Sequence, residues 1–169
     1  MEEELYLVDG EDRVIGTAPR SRVRAENLLH RGVGILVCNG AGEIYVHRRT
    51  ATKDIFPGLY DMFVGGAVTV GEDYGDAARR ECAEELGVRG GVWERLFVYR
   101  YEGQRNRCFT GVYKVVYDGP IVHQAEEVAW GRFMPLAQVA AFARENPVVP
   151  DGAEIFREYL RRFGAPPSS

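Results

Sequence analysis

Apolar runs bounded by turn signals recur along most of the chain, and this pattern predicts a sheet built from several strands. Residues 33–38 form such a run and predict a buried strand. The sequence Asn39-Gly40-Ala41-Gly42 then predicts a turn into a second strand over residues 43–48. Three later runs also predict strands: residues 93–101, 108–117 and 128–133. We expect these strands to belong to one mixed sheet.

The first 29 residues predict an N-terminal extension made of a β-hairpin and a short helix. Residues 5–8 and 13–16 are strand-like, and Asp9-Gly10 between them is a turn signal. Residues 21–29 favour a helix whose first turn is capped by Ser21. Pro57-Gly58, further along the chain, marks a loop.

A helix is predicted over residues 73–86, because Asp73 is a side chain suited to cap it and Gly87 is a residue suited to end it. Two closing helices are predicted over residues 135–145 and 152–163, followed by a tail at 164–169. The mixture of hairpins and helices predicts a single α/β domain over residues 1–169, with a mixed sheet covered by helices.

Composition and charge narrow the class of protein. The chain has 169 residues, of which 46% are hydrophobic and 27% charged, which is typical of a folded globular domain. The net charge of −4 argues against non-specific binding to nucleic acid or to an anionic membrane surface. We therefore expect neither nucleic acid nor a membrane as a partner.

Cysteine usage and the start of the chain predict a cytoplasmic, reduced protein. The cysteines are odd in number and widely spaced, so they predict neither a disulfide framework nor a zinc site: Cys38, Cys82 and Cys108. The chain begins with acidic residues rather than the basic region of a signal peptide, and no apolar run approaches the length of a membrane span. The histidines are scattered, and we expect a structural or surface role for each: His30, His47 and His123.

The most informative stretch joins a glycine pair to a run of acidic residues. The pair Gly65-Gly66 permits a close approach of the backbone, so a carbonyl there is a candidate metal ligand. At about 100° per residue, the side chains of Glu81, Glu84 and Glu85 share one arc of the predicted helix. Like charges at this spacing repel one another, whereas a hard divalent cation takes several such oxygen ligands.

Two further residues complete this pattern. Arg80 and Glu72 are expected to pair and to hold the loop before the helix against it. The neighbouring arc of the helix is apolar and is expected to face the sheet, through Ala78, Cys82 and Leu86.

The whole pattern resembles the sequence box of the Nudix hydrolase family. In that box a glycine is followed at fixed spacing by a glutamate, an Arg-Glu pair, a Glu-Glu pair, a glycine and an apolar residue. The matching positions here are Gly66, Glu72, Arg80, Glu81, Cys82, Glu84, Glu85, Gly87 and Val88. The resemblance covers about residues 30–145. It implies an α/β/α sandwich and hydrolysis, dependent on Mg²⁺ or Mn²⁺, of a diphosphate joined to another group X.

The same resemblance implies the site residues. The implied metal ligands are Glu81, Glu85, Glu84 and the carbonyl of Gly66. The implied catalytic residues are Glu84, Glu81, Arg80 and Glu72. Members of the family differ in which glutamate acts as the base, so Glu126 and Glu127 stay open either as a base or as part of a solvated turn.

Residues ahead of the box resemble the Nudix branch that contains isopentenyl-diphosphate isomerase. That resemblance implies that Arg49 and Lys53 bind the diphosphate. The positions of the isomerase's cysteine and histidine hold Gly65 and Ala67 instead, and no acidic residue stands at 104–107, near the place of its catalytic glutamate. The resemblance therefore implies that the residues that bind the diphosphate are present and that the residues needed for isomerisation are absent.

The predicted function is metal-dependent hydrolysis of phosphoanhydride bonds in nucleoside di- or triphosphates, or in other nucleoside diphosphate derivatives. Two alternatives stay open: an isomerase-like enzyme of the branch above, and a non-catalytic Nudix-like module that binds nucleotides. The sequence makes no prediction about the identity of X or about oligomeric state.

Overall fold

The computed structural model describes residues 2–164 and contains nine strands and four helices in that part of the chain. In chain order these are β1 (Glu4–Val8), β2 (Val14–Pro19), α1 (Arg20–Glu26), β3 (His30–Cys38), β4 (Ile44–Arg49), β5 (Tyr60–Asp61), β6 (Val64–Ala67), α2 (Tyr74–Leu86), β7 (Val92–Glu102), β8 (Arg107–Val116), β9 (Val128–Met134), α3 (Leu136–Glu145) and α4 (Pro150–Phe163). Every strand and helix that the sequence predicts is present. Of the predicted tail, Gly164 follows α4 and residues 165–169 lie outside the described part.

All nine strands belong to one mixed sheet with β3 at its centre. The strand β3 pairs in parallel with β8 and antiparallel with β6, β1 and β4. The outer strands β7, β9 and β2 extend the sheet from β8, β4 and β1. A strand with neighbours on both sides and helices on both faces is buried throughout, which explains the apolar run that predicts β3.

Helices cover both faces of the sheet, which confirms the predicted α/β/α sandwich. Side chains of β3 alternate between the faces. On one face Val33, Ile35 and Val37 belong to a core with α2. On the other face Leu36 and Cys38 belong to a core that includes residues of α3 and α4. None of the helices within residues 2–164 is long and apolar enough to cross a membrane.

The N-terminal extension differs from its prediction at two points. The hairpin loop runs from Asp9 to Arg13, joined by a backbone hydrogen bond of 2.9 Å, and is longer than a two-residue Asp-Gly turn. The helix α1 begins at Arg20 and has no side-chain cap, so the prediction that Ser21 caps it is wrong. The chain enters α1 directly from Pro19, at the end of β2, and Ser21 already lies inside the first turn.

The strand β6 contains the glycine pair and was not predicted, because two adjacent glycines carry no apolar alternation. Gly65 and Gly66 lie opposite Gly34 and Val33 of β3. A side chain on Gly65 would overlap the backbone carbonyl of Val33. The glycine pair therefore allows β6 to lie close against the centre of the sheet.

Both predicted ends of α2 are confirmed. Asp73 accepts a hydrogen bond from the backbone N–H of Asp76 (2.7 Å), and the Asp76 carboxylate accepts one from the N–H of Asp73 (3.3 Å). Gly87 ends the helix in the left-handed conformation, with φ of 67°. These caps fix where α2 starts and stops, and therefore which side chains it presents on each face.

We predict that Asp73→Ala lowers the free energy of unfolding by about 1 kcal/mol, because a helix N-cap is lost. Asp73→Ser is the matched control, since serine caps helices nearly as well. Urea denaturation of both variants measures the difference. Equal stability of the alanine and serine variants would contradict this account of the cap.

Candidate active site

A groove of about 660 Å³ opens between α2, β6 and the segments that precede β5 and β9. It brings together most of the residues that the sequence singles out: Lys53, Gly66, Arg80, Glu81, Glu84, Glu85, Glu126 and Glu127. Glu72 and Arg49 do not line it. Glu72 is paired with Arg80, and Arg49 lines a neighbouring cavity.

Gly66 makes room for a carboxylate of α2. A side chain at this position would overlap the carboxylate of Glu81. The glycine of the sequence box thus leaves the space in which α2 places the carboxylate of Glu81 against β6. That the carbonyl of Gly66 binds a metal stays a prediction.

Arg80 and Glu72 form the predicted pair. The Nε and Nη2 atoms of Arg80 donate to the two carboxylate oxygens of Glu72 at 2.6 and 2.8 Å. The backbone N–H and hydroxyl of Thr69 also donate to Glu72, at 3.0 and 2.7 Å. Burial raises the pKa of Glu72, but these hydrogen bonds outweigh it and hold the pKa at about 2. The pair ties the loop before α2 to the helix.

Arg80 also contacts the acidic arc. Its Nη1 atom donates to Glu81 at 2.9 Å and to Glu84 at 3.3 Å. Burial nevertheless raises the pKa of Glu81 to about 7, because Arg80 offsets only part of the loss of solvent and Glu84 adds a like charge. Glu81 is therefore a mostly buried carboxyl group whose ionised form Arg80 stabilises only in part.

Glu85 is the most buried acid of the groove, with 5% of its surface exposed. Burial and the charge on Glu81 raise its pKa to about 8, and the more distant Lys53 and Arg49 counter this only in part. Two buried carboxylates side by side are unfavourable without a compensating cation. The arrangement fits the chemistry of a divalent cation held by oxygen ligands.

The side chains are not gathered around a preformed metal position. Between residues 2 and 164, no group of three or more His, Cys, Asp or Glu side chains is placed to hold a metal ion. Two of the predicted ligands, Glu81 and Glu84, are instead engaged by Arg80. The donor chemistry thus fits Mg²⁺ or Mn²⁺, and Arg80 contacts only one oxygen of each of these two carboxylates.

The predicted phosphate-binding residues lie beside the groove. Lys53 lines it and is paired with the carboxylate of Glu127. The guanidinium of Arg49 donates to the carbonyl of Ile55 at 2.9 and 3.3 Å, which holds it under the loop before β5. Both cations are positioned by that loop.

Arg20 carries no local sequence signal, yet the N-terminal extension places it at the rim of the groove. Its Nε and Nη2 atoms donate to Asp54 at 2.9 and 3.2 Å, and this pair joins α1 to the loop before β5. No local motif marks either residue, because they are 34 positions apart in the sequence.

The positions of the cysteines and histidines agree with structural roles. All three cysteines are free and buried. His30 contacts the carbonyl of Leu28 at 2.9 Å, and His123 contacts the hydroxyl of Tyr45 at 2.6 Å. His47 is buried, and burial lowers its pKa to about 3.

A sequence model of the NUDIX domain matches residues 28–159. This stretch contains α2, β6 and nearly the whole lining of the groove. The chain belongs to the Nudix family.

Relatives support this membership over nearly the full chain. An uncharacterized Nudix hydrolase of Streptomyces coelicolor, SCO1686, is 45% identical across 97% of this chain and 92% of its own length. A second, PA4841 of Pseudomonas aeruginosa, is 40% identical across 90% of both chains.

Solved structures show the same fold. The crystal structure of DR0079 from Deinococcus radiodurans covers 92% of this chain and 98% of its own, with a TM-score of 0.79 and 30% identity. The Nudix domain of NrtR from Shewanella oneidensis, solved with ADP ribose, covers 79% of this chain and 86% of its own, with a TM-score of 0.63 and 19% identity. At that identity the likeness concerns the fold alone.

The likeness to the isomerase branch stays a prediction. The structure gives a steric reason why position 65 holds glycine and not the cysteine of the isomerase. A cysteine in place of Gly65 would overlap the backbone of Val33 unless β6 moved away from β3. Within this Nudix fold, the backbone at position 65 therefore suits glycine alone.

We predict that the pair formed by Glu72 contributes stability that depends on pH. The pKa of Glu72 is about 2, below its ordinary value of 4.5, so the carboxylate stabilises the fold above that ordinary value. Its contribution is lost as the pH falls from 4.5 towards 2. Near neutral pH, Glu72→Gln should lower the free energy of unfolding by about 1–3 kcal/mol.

Urea denaturation of the wild type and Glu72→Gln at a series of pH values measures this contribution. The difference between the two proteins should shrink on acidification. A difference that stays constant down to about pH 3 would contradict the assigned ion pair.

Proposed function

We propose that the chain hydrolyses phosphoanhydride bonds in nucleoside di- or triphosphates, or in other nucleoside diphosphate derivatives, with Mg²⁺ or Mn²⁺ as cofactor. The observation that carries this proposal is the placement of the buried Glu85 and the mostly buried Glu81, one helical turn apart, in a groove that Lys53 also lines. A phosphoanhydride is already activated, so the reaction needs charge neutralisation, an oriented water and a base.

The acidic arc of α2 would hold the metal, through Glu81 and Glu85 with Glu84 and the carbonyl of Gly66 as further ligands. When bound, a divalent cation supplies positive charge beside phosphate oxygens and lowers the pKa of a bound water. We assign the proton-accepting role to Glu84, whose side chain is 52% exposed and can reach a water in the groove. Glu126 is the alternative base, since Glu127 is paired with Lys53.

The remaining residues orient the substrate and the helix. Arg80 and Glu72 position α2, and thereby the acidic arc, through the hydrogen bonds between them. Lys53 and Arg49 bind the diphosphate: lysine acts as a mobile point charge, and arginine holds two oxygens with one planar group. A nucleotide-like substrate agrees with the ADP ribose seen in a Nudix domain of the same fold.

The two alternatives make different predictions. An isomerase would act on isopentenyl diphosphate without releasing phosphate, and it lacks room for its cysteine at Gly65. A non-catalytic module would bind nucleotides without turnover. Incubation with Mg²⁺ and a panel of nucleotides, followed by an assay of released phosphate and pyrophosphate, separates hydrolysis from both. Location in the cytoplasm stays a prediction.

We predict that Glu81→Gln and Glu85→Gln each lower kcat by about 100-fold or more, because each removes charge that holds the cation. Glu145→Gln, an exposed substitution at the end of α3, is the matched control and should keep normal turnover. Steady-state hydrolysis of a nucleotide in the presence of Mg²⁺ measures the effect. Near-normal turnover in both groove variants would refute the assignment of these ligands.

We predict that Arg49→Ala reduces kcat/KM by the equivalent of about 2–3 kcal/mol, as expected for a charge-assisted contact to phosphate. Lys53→Ala should reduce it less. Arg48→Ala is the matched control, because Arg48 donates to the carbonyl of Gly58 and, unlike Arg49, lines neither the groove nor the neighbouring cavity.

The measurement uses ADP and CDP, whose bases differ and whose phosphates do not. Both losses should be the same for the two nucleotides. A loss confined to one base, or no loss in either variant, would show that the diphosphate is bound elsewhere.

A further inference from the structure

Each cation that lines the acidic groove, in the described part of the chain, is already paired with a carboxylate. Seven acidic and three basic side chains line the groove there. Arg20 is paired with Asp54, and Arg80 is paired with three acids of the sequence box. The third cation, Lys53, is paired with Glu127. A phosphate that enters the groove therefore has to compete with a carboxylate for any of these cations.

Of the two predicted phosphate contacts, Lys53 is the one that lines the groove. Arg49 lines the neighbouring cavity, of about 90 Å³, which lies between α1, β3 and the start of α4. There its guanidinium donates to the carbonyl of Ile55. The partner of Lys53 therefore decides whether this predicted contact is available to a phosphate in the groove.

Lys53 is also the cation best suited to exchange its partner. The guanidinium of Arg20 donates to both carboxylate oxygens of Asp54, and that of Arg80 donates to both oxygens of Glu72. The ammonium of Lys53 instead donates to one oxygen of its acid. A single contact made by a flexible point charge separates more readily than a planar, two-fold one.

The loops that carry Lys53 and Glu127 are held together by other contacts. The backbone N–H of Thr50 donates to the carbonyl of Glu127 at 3.2 Å, and the hydroxyl of Thr50 donates to the carbonyl of Glu126 at 2.8 Å. The two charged side chains can therefore separate while the loops before β5 and β9 keep their places.

The surroundings of the pair favour exchange with a diphosphate. The side chain of Lys53 is 12% exposed and that of Glu127 is 30% exposed, so the carboxylate is the partner with access to solvent. A diphosphate carries more negative charge than a carboxylate and attracts the ammonium more strongly at the same distance. It can therefore take Lys53 from Glu127, whose carboxylate is then solvated at the rim of the groove.

We propose that Glu127 forms an autoinhibitory contact: it occupies Lys53, and a diphosphate binds in the groove by displacing it. This inference rests on the proposed function for the role of Lys53 as a diphosphate contact. The exchange changes ion-pair partners only, so no covalent bond forms or breaks. Glu127 thereby has a role other than that of a base or of a solvated turn.

Calorimetric titration with inorganic pyrophosphate tests this contact without a measurement of turnover. Buffer freed of divalent cations ensures that only the side chains of the protein supply charge. Glu127→Gln frees Lys53 and should bind pyrophosphate at least about three-fold more tightly than the wild type. Glu127→Ala also removes the charge and should show the same gain. Glu126→Gln is the matched control, because it removes an equal charge from the next position of the groove lining and should give a smaller gain.

A double substitution separates release of Lys53 from a general loss of repulsion. In a Lys53→Ala background, Glu127→Gln should give no more than the gain of Glu126→Gln, because the cation that it would free is absent. Circular dichroism checks that each variant is folded. The hydrogen bond from Thr50 uses the backbone of Glu127 and is available in each of them.

Two results would overturn the inference. One is a folded Glu127→Gln protein that binds pyrophosphate no more tightly than Glu126→Gln, or not measurably at all. The other is a gain that persists in full without Lys53. Both are separable from the proposed function. Hydrolysis of ADP by the wild type, with no gain in Glu127→Gln, refutes the autoinhibitory contact alone. A gain that depends on Lys53, without hydrolysis by the wild type, supports the contact and refutes the proposed reaction.

Discussion

The site depends on one constraint: α2 buries two carboxylates, Glu81 and Glu85, next to each other. Burial raises the pKa of both side chains, and the nearby cations balance their charge only in part. A fold that keeps such a pair needs a positive charge at that place when both are ionised. We infer that a divalent cation supplies it.

The surrounding structure makes this burial possible. Gly66 leaves the space that the carboxylate of Glu81 fills, and the glycine pair lets β6 lie close against β3. Asp73 and Gly87 fix the two ends of α2, and the pair of Arg80 with Glu72 ties the helix to the loop before it. The residues of the Nudix sequence box therefore have structural roles that place the acids.

The N-terminal extension contributes more than packing. Leu5, Ala18 and Val23 form a small core with Ala67 of β6, which anchors the extension beside the groove. From there α1 directs Arg20 to the groove and Arg24 to the cavity. The extension thus helps to shape the surface on which we place the substrate.

Much of the fold was predictable from local signals, and the exceptions have physical reasons. Apolar runs locate the long strands, and capping residues locate α2. By contrast, β6 consists largely of glycine and small residues that carry no strand periodicity, and α1 starts from a proline without the serine cap that its sequence suggests.

The candidate site likewise has one part that was predictable from the sequence and one part that was not. The acidic arc follows from helical spacing and from the resemblance to the sequence box, although the roles of its members stay predictions. The cavity does not follow from any local pattern. Three of the side chains that line it, those of Arg24, Asn106 and Asp151, come from distant segments of the sequence and meet only in the folded chain.

The central claim is that the buried acids of α2 bind a divalent cation, and anomalous diffraction from crystals soaked in Mn²⁺ tests it most directly. The account predicts an anomalous peak in the groove, within coordination distance of Glu81 and Glu85. Full soaking with no peak in the groove, or a peak that these two glutamates do not contact, would contradict the account.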